Sequence, residues 1–156
     1  MNTFVRRANQ ADADALRLLE AESREQLARF RGGDRLSIEL PVVDEDWPER
    51  IDSNNWVVLV AGFDDVQLGY LCLDLATTNG IPLIATVYVT VKVRQLGLGD
   101  GLVSAAIETC RQLGVDAIDA FALPGDRETK NLFERSGLTA RLLIASRNIN
   151  DPQMDV

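Results

Sequence analysis

Apolar positions in the first third of the chain switch between two spacings. Residues 3–7 form a short run typical of a strand, and the apolar residues of 12–30 recur at helical spacing behind Asp12, an acid suited to cap a helix. Two prolines interrupt 31–54, where the pattern predicts only a short helix over 47–52. The chain therefore begins with a strand and a long helix, followed by a stretch whose structure the pattern leaves open.

Three stretches rich in β-branched residues follow in close succession. A short turn separates 56–62 from 66–76, which predicts an antiparallel hairpin. The third stretch, 82–93, is dense in valine and predicts a strand that is buried on both faces of its sheet.

The second half of the chain alternates helices with strands. An apolar stripe predicts a helix that ends at Gly114, and Asp126 is placed to cap a second helix that ends at Gly137. This order predicts a single domain of the α/β class, of the α+β type, over residues 1–156, with a mixed, mostly antiparallel sheet flanked by helices. The remaining predicted elements are strands over 115–123 and 138–149 and a loose tail over 150–156.

Composition narrows the class of partner. A net charge of −8 at pH 7 argues against nucleic acid, because phosphate binding needs a basic surface. The apolar runs are too short to span a bilayer, and the N-terminal residues lack the apolar core and the cleavage site of a signal peptide. We therefore expect a cytoplasmic protein that binds neither nucleic acid nor membrane.

The sequence contains no histidine, and its two cysteines, Cys72 and Cys110, stand in different predicted elements. The absence of histidine excludes Ser-His-Asp and Cys-His nucleophiles and any histidine-ligated metal, so we expect no metal site. Chemistry in this chain must use carboxylates, tyrosine, lysine, backbone groups or a bound cofactor.

Residues 91–103, VKVRQLGLGDGLV, join the third strand of the meander to a helix through glycines at alternate positions. The first amides of a helix lack intrahelical partners and lie at the positive end of its dipole, and glycine lets a phosphate approach them. The alternative is a tight connection in which glycine only relieves crowding, but one or two glycines would suffice for that. Three glycines beside Arg94 favour a phosphate site.

Two nucleotide-binding fingerprints fail at this junction. The pattern G-x-G-x-x-G would need glycine where Leu102 stands, and a P-loop would need Lys followed by Ser or Thr. Residues 94–99 instead match [QR]-x-x-G-x-[GA]. Together with FVRRANQADADALRLL, VQLGYLCL and GDRETKNLFERSGL, this stretch resembles the GNAT superfamily of N-acetyltransferases over about residues 3–149, except for 31–54.

The resemblance implies an acyl-CoA N-acyltransferase-like fold and acetyl coenzyme A as co-substrate. In this family the strand before the loop splays from its neighbour, and the pantetheine arm pairs with the freed backbone, which falls at Val89 and Val91 here. Val89 N–H would donate to the thioester carbonyl, and Asp126 and Phe133 would line the arm. The other residues implied to hold the cofactor are Arg94, Gln95, Leu96, Gly97, Leu98, Gly99, Asp100 and Gly101.

The sequence departs from the family in charge and in catalytic residues. Gln95 and Leu96 replace a common Gly-Lys pair and Asp100 adds a negative charge, which predicts weaker cofactor affinity. Phe133 stands where the family often has a tyrosine acid, and 81–86 lacks the common glutamate. The catalytic candidates that remain are Tyr88, Asp74 and Asp119.

These features lead us to expect an enzyme that moves acetyl from acetyl coenzyme A directly to the amine of a small molecule. One alternative is a non-catalytic acyl-CoA-binding regulatory module, which Phe133 and the missing glutamate favour. The other is an acetyltransferase that acts on an amine of a protein or peptide, since 31–54 would set the acceptor. The resemblance also leaves room for a homodimer.

Overall fold

The structure is a computed structural model that describes residues 2–150; most of the predicted tail, 151–156, lies outside this range. The described chain combines a five-stranded sheet with helices, as the α/β class predicts, and that prediction is confirmed. The strands are β1 (Thr3–Arg7), β2 (Trp56–Phe63), β3 (Val66–Asp74), β4 (Leu83–Val89) and β5 (Asp119–Ala120). The α-helices are α1 (Ala13–Leu27), α2 (Gly33–Glu39), α3 (Trp47–Asp52), α4 (Leu98–Leu113) and α5 (Arg127–Arg135). Turns of 3₁₀ helix cover Gln10–Asp12, Asp44–Asp46 and Val91–Leu96.

The strands lie in the sheet in the order in which they occur in the chain. Neighbours from β1 to β4 pair antiparallel, and the predicted hairpin of β2 and β3 is confirmed. β5 pairs parallel to β4 through only two residue pairs, Leu83 with Asp119 and Ile84 with Ala120. The sheet is therefore mixed and mostly antiparallel, and its short parallel part lies at one edge.

Each face of the sheet has its own apolar core, because successive buried side chains of β2 and β3 point to opposite faces. On one face, Leu59 and Leu71 pack beneath α4 and α5. On the other face, Val60 and Tyr70 pack beneath α1 and α3. The sheet is thus a central layer between two helical layers, and the expectation that the strand of 82–93 is buried on both faces is confirmed for its β4 part, where Ile84 packs in one core and Tyr88 in the other.

Three predicted strands are shorter than expected or absent. The stretch 82–93 leaves the sheet after Val89, and 115–123 pairs only at Asp119–Ala120. No strand forms over 138–149, where Leu142, Leu143 and Ile144 are largely exposed. Residues typical of strands favour a strand only where they can pack on a pleated, half-buried surface. Within residues 2–150, no strand of the sheet pairs with this segment. The prediction of a last strand was therefore wrong.

A buried acid ties the start of the chain to the sheet. Asp12 is fully buried and accepts two hydrogen bonds from the Arg6 guanidinium, at 2.7 and 2.9 Å, and one from Gln67 Nε2 at 2.7 Å. Its Oδ2 also accepts from Asn9 N at 2.8 Å, while Asn9 Oδ1 accepts from Ala11 N at 2.9 Å. Asp12 thus belongs to a reciprocal cap with Asn9, and the prediction that its side chain caps α1 was wrong.

No helix within the described range 2–150 is long and apolar enough to cross a membrane.

Asp12→Asn should lower the free energy of unfolding at pH 7 by about 2–3 kcal/mol, because the Arg6 guanidinium loses its carboxylate. Burial opposes ionisation of Asp12, but hydrogen bonds from Arg6, Asn9 and Gln67 outweigh it and lower its pKa. A folded-state pKa below the unfolded one gives a contribution that is complete above about pH 4 and is lost as the pH falls. The variant should therefore lose stability less steeply in acid than the wild type.

Urea unfolding at pH 7 and at about pH 3.5 measures both effects. Asp14→Asn, at an exposed acid in the first turn of α1, is the matched control and should change the stability by less than about 1 kcal/mol. A difference between Asp12→Asn and the wild type that is the same at both pH values would contradict the ionic contribution.

Candidate functional site

A gap opens where β4 and β5 separate after Ile84 and Ala120. β4 continues to Val89 and stays paired with β3 on its other edge. Thr90 N–H donates to Leu68 O of β3 at 2.8 Å. Because consecutive amides of an extended strand point to opposite edges, Val89 N–H faces the edge that β5 leaves uncovered.

An open cavity continues from this gap into the helical layer of α1, α2 and α3. Its empty volume is about 830 Å³, the solvent at its mouth included. β4 contributes residues 84–87 to one wall, and 121–123 with α5 and its capping residue form the facing wall, which includes Asp126 and Phe133. The stretch 31–54, which had no clear pattern, supplies α2 and α3 and much of the remaining wall.

A buried ion pair holds that wall in place. Glu20 is 5% exposed, and its two carboxylate oxygens accept from Val43 N at 2.9 Å and Asp44 N at 2.8 Å. Arg24 lies one helical turn further, with Nε 3.5 Å from Glu20 Oε2. Its terminal nitrogens donate to the carbonyls of Ser37, Leu40 and Pro41 at 2.8–2.9 Å. We refer to Glu20 and Arg24 as the α1 clamp, since they fasten segment 37–44 to α1.

Aromatic side chains form the inner part of the cavity. Trp47 is 1% exposed and meets Tyr70 edge to face, with ring centroids 5.7 Å apart. The Arg50 guanidinium lies over the Trp56 ring at 3.8 Å. Burial raises the pKa of the lining thiol Cys72 to about 12. Cys72 is therefore protonated at neutral pH and is a poor nucleophile.

The loop after β4 turns sharply before α4 begins. Gly97, with φ 82°, stands in the left-handed region at the junction of the 3₁₀ turn and α4, a conformation that favours glycine. The first helical hydrogen bond runs from Gly101 N to Gly97 O at 3.1 Å. The amides of residues 98–100 precede this bond and are the unpaired donors at the positive end of α4.

The other two glycines of the loop allow close packing. A Cβ added at Gly99 would lie 3.3 Å from the Leu132 side chain, and one at Gly101 would lie 2.9 Å from Val5 Cγ2. Gly97, by contrast, has nothing within 4 Å of such an atom. Relief of crowding therefore accounts for two glycines, and the surface over Gly97 is open to a ligand.

Two charged residues beside the loop, Arg94 and Asp100, each form an ion pair with a residue of α5. Arg94 Nε donates to Val89 O at 2.9 Å and its Nη1 to Glu128 at 2.6 Å. Asp100 accepts from Arg135 at 3.0 Å, which offsets its negative charge near the start of α4. The predicted loop residues Gln95 and Leu96 are exposed, and Leu98 is buried against the core. Val91, predicted to lie on the strand, instead begins the 3₁₀ turn and is exposed.

The three catalytic candidates from the sequence are absent from the cavity lining as the described residues define it. Tyr88 donates to Glu22 Oε2 at 3.1 Å, and burial followed by that carboxylate raises its pKa. Asp74 accepts from Ala76 N in its own turn, and Asp119 accepts from Arg141 at 3.2 Å.

The carboxylates that do line the cavity are Glu20 and Asp126. Asp126 caps α5 through a hydrogen bond from Thr129 N at 3.1 Å, the capping role that the sequence predicted. Glu20 was missed, although one signal was present. Glu20 and Arg24 are four residues apart on the apolar stripe of Leu16 and Leu19, where a charged pair is unexpected.

Among residues 2–150, no group of three or more His, Cys, Asp or Glu side chains is arranged to hold a metal ion.

Comparison with known proteins identifies the family. The family model of the acetyltransferase (GNAT) family matches residues 16–138. The chain therefore belongs to the acetyltransferase (GNAT) family, and the resemblance inferred from the loop and the flanking motifs is confirmed. No curated protein matches the sequence.

Solved structures share this fold along nearly the whole chain. Aminoglycoside N-acetyltransferase AAC(6')-Iy in complex with CoA is 16% identical, with 95% of each chain covered and a TM-score of 0.71. A transcriptional regulator from Bacillus halodurans C-125 is 20% identical, with 95% of this chain and 100% of that chain covered and a TM-score of 0.69. The aminoglycoside acetyltransferase meta-AAC0020 from an uncultured soil metagenomic sample is 17% identical, with 94% of each chain covered and a TM-score of 0.69. At these identities the likeness shows the fold alone.

Glu20→Gln should lower the free energy of unfolding by about 1–3 kcal/mol, because an amide has one acceptor oxygen for two buried N–H donors. Segment 37–44 should loosen first, so limited proteolysis should cut it faster than in the wild type. Glu25→Gln, at an exposed acid on the same helix, is the control and should behave like the wild type. Equal melting and equal cleavage of the two variants would show that the clamp does not hold the wall.

Proposed function

We propose that the chain transfers acetyl from acetyl coenzyme A directly to the amine of a small molecule. The observation that carries this proposal is the gap beside β4, because an extended ligand can pair with an uncovered strand edge as a substitute strand. The pantetheine arm of coenzyme A is extended and carries two amides, which suits such an edge. Val89 N–H is then the donor that would stabilise the charge developing on the thioester oxygen.

The start of α4 supports the diphosphate end of the same ligand. Its unpaired amides at 98–100 lie close to the end of β4, since a Cβ at Gly99 would be 3.8 Å from Val89 Cγ2. A ligand that leaves the β4 edge therefore reaches the positive end of a sixteen-residue helix, where anions bind well. The pairing of Asp100 with Arg135 removes one source of repulsion.

The cavity behind the gap supports an amine as the second substrate. The neutral amine attacks the thioester carbonyl carbon, a C–N bond forms, and the C–S bond breaks. The amine loses one proton, and the departing thiolate takes up one. A covalent enzyme intermediate has little support, because burial keeps Cys72 protonated and the chain has no histidine.

A non-catalytic acyl-CoA-binding module is the second candidate, and Phe133 favours it because this buried ring offers no proton to a leaving thiolate. Titration calorimetry with coenzyme A tests the shared cofactor site. Release of free thiol from acetyl coenzyme A, followed across a panel of amines, tests turnover. Binding without turnover on any amine would support the module, and no binding of coenzyme A would refute both functions.

A cytoplasmic location and a homodimer remain predictions. The homodimer is supported by Leu142, Leu143 and Ile144, an exposed apolar run. Residues 138–149 also carry two arginines and no acid, whereas the chain has a net charge of −8, so the segment complements a second copy. Sedimentation velocity should find a dimer that Leu143→Glu weakens and that Leu18→Glu, at an exposed leucine of α1, leaves intact. A monomeric wild type would refute the homodimer.

Gly97→Asp should weaken coenzyme A binding about five- to tenfold more than Gly97→Asn, a difference on the order of 1 kcal/mol. Both residues tolerate the left-handed conformation of Gly97 and have the same shape, so the pair differs in charge beside the diphosphate. The same pair at Gly114, the left-handed residue at the other end of α4, is the control and should show no difference. Calorimetry at low salt gives the affinities of the four variants for coenzyme A. Equal affinities for the two Gly97 variants would show that the diphosphate does not bind at this turn.

A further inference from the structure

The charged side chains of the cavity are almost all engaged by the protein itself. Both oxygens of Glu20 accept backbone amides, and the terminal nitrogens of Arg24 donate to three backbone carbonyls. Arg50 lies against the Trp56 ring. Glu20 therefore has neither oxygen free for a ligand, and the N–H donors of the two arginines cannot bind an ammonium group and repel it.

Asp126 differs from the other lining carboxylate. Its Oδ1 accepts the capping bond from Thr129 N, and no residue of the described range donates to its Oδ2. The side chain is half-buried and lies on the α5 wall with Phe133, beside the gap. The cavity therefore offers one carboxylate oxygen to a cation.

Apolar and aromatic surface makes up much of the remaining wall. Five of the nine aromatic residues of the chain line the cavity, and they come from α3, β2, β3, the stretch after β5, and α5. Such a wall binds a flat apolar body well, whereas its uncharged polar groups are few and include the hydroxyls of Ser23, Thr86 and Thr129 and the indole N–H of Trp47. The five aromatic lining residues are Trp47, Trp56, Tyr70, Phe121 and Phe133.

We infer that the acceptor is a monoamine with an apolar, preferably aromatic, body, and that Asp126 anchors its single amino group, which arrives as the ammonium ion and loses a proton to solvent before it attacks the thioester. This inference rests on the proposed function and names the substrate class of the same site. Amines with several ammonium groups, such as polyamines and amino sugars, are excluded, because Glu20 is already paired with Arg24 and the one free carboxylate, in a cavity that Arg50 also lines, cannot neutralise several positive charges.

Thiol release from acetyl coenzyme A measures the preference with 2-phenylethylamine, spermidine and kanamycin as acceptors. The value of kcat/KM for 2-phenylethylamine should exceed those of the two polycations about tenfold or more. Calorimetry of the same amines with the coenzyme A complex measures their relative affinities even if turnover is slow. Equal or better use of a polycation would overturn the inference and leave the acetyltransferase function intact, whereas absence of coenzyme A binding would refute the proposed function itself.

Asp126→Asn tests the anchor, because asparagine keeps the α5 cap and removes the charge. The variant should bind 2-phenylethylamine about five- to tenfold more weakly while its affinity for uncharged 2-phenylethanol stays within about twofold. Asp116→Asn, at an exposed acid outside the cavity lining, should change neither affinity. An equal loss for the amine and the alcohol would indicate a structural role for Asp126, and no loss for either would remove it from amine binding.

Discussion

The early end of the β4–β5 pairing is the constraint on which the site depends. A parallel pair of normal length would cover the edge of β4 as far as Val89, but the ladder stops after two residue pairs. Beyond it, Val89 O accepts from Arg94 Nε, and the amides on the same edge must find water or a ligand as partners, because buried amides are seldom left unpaired. The turn into α5, capped by Asp126, leads the chain away from β4, and the same divergence opens the cavity behind the sheet.

The α1 clamp holds segment 37–44 against α1 by hydrogen bonds to its backbone, which apolar burial alone does not provide. Segment 37–44 contains the end of a seven-residue helix and a proline, so it has few regular hydrogen bonds of its own. Glu20 and Arg24 bind its backbone directly and make a firm wall of it. A charge pair at such a position is expensive to bury, but charge-assisted bonds to fixed backbone groups offset much of the desolvation. The helical wall of the cavity is therefore set by polar bonds, and the gap beside β4 is set by sheet geometry.

The glycines of the loop before α4 allow both close packing of the helix and an open turn at its start. Gly99 and Gly101 let α4 approach α5 and β1, while Gly97 makes the left-handed turn and leaves open space above the helix start. Tight packing brings the unpaired amides close to the end of β4, and the open turn leaves space for a ligand above them. Crowding relief and phosphate binding, which looked like alternatives in the sequence, are compatible properties of one turn.

Local patterns in the sequence determined the elements that depend on neighbouring residues. The short turn between the strand-like stretches 56–62 and 66–76 predicted the β2–β3 hairpin, and the loop over 94–99 with its flanking motifs predicted the family. The tertiary structure decided where β4 ends, why 138–149 forms no strand, and that Glu20 lines the cavity while Tyr88, Asp74 and Asp119 do not. Periodicity records which side chains share a face of one element. Pairing partners, free edges and cavities arise only when elements distant in the chain pack together, and no local pattern carries that information.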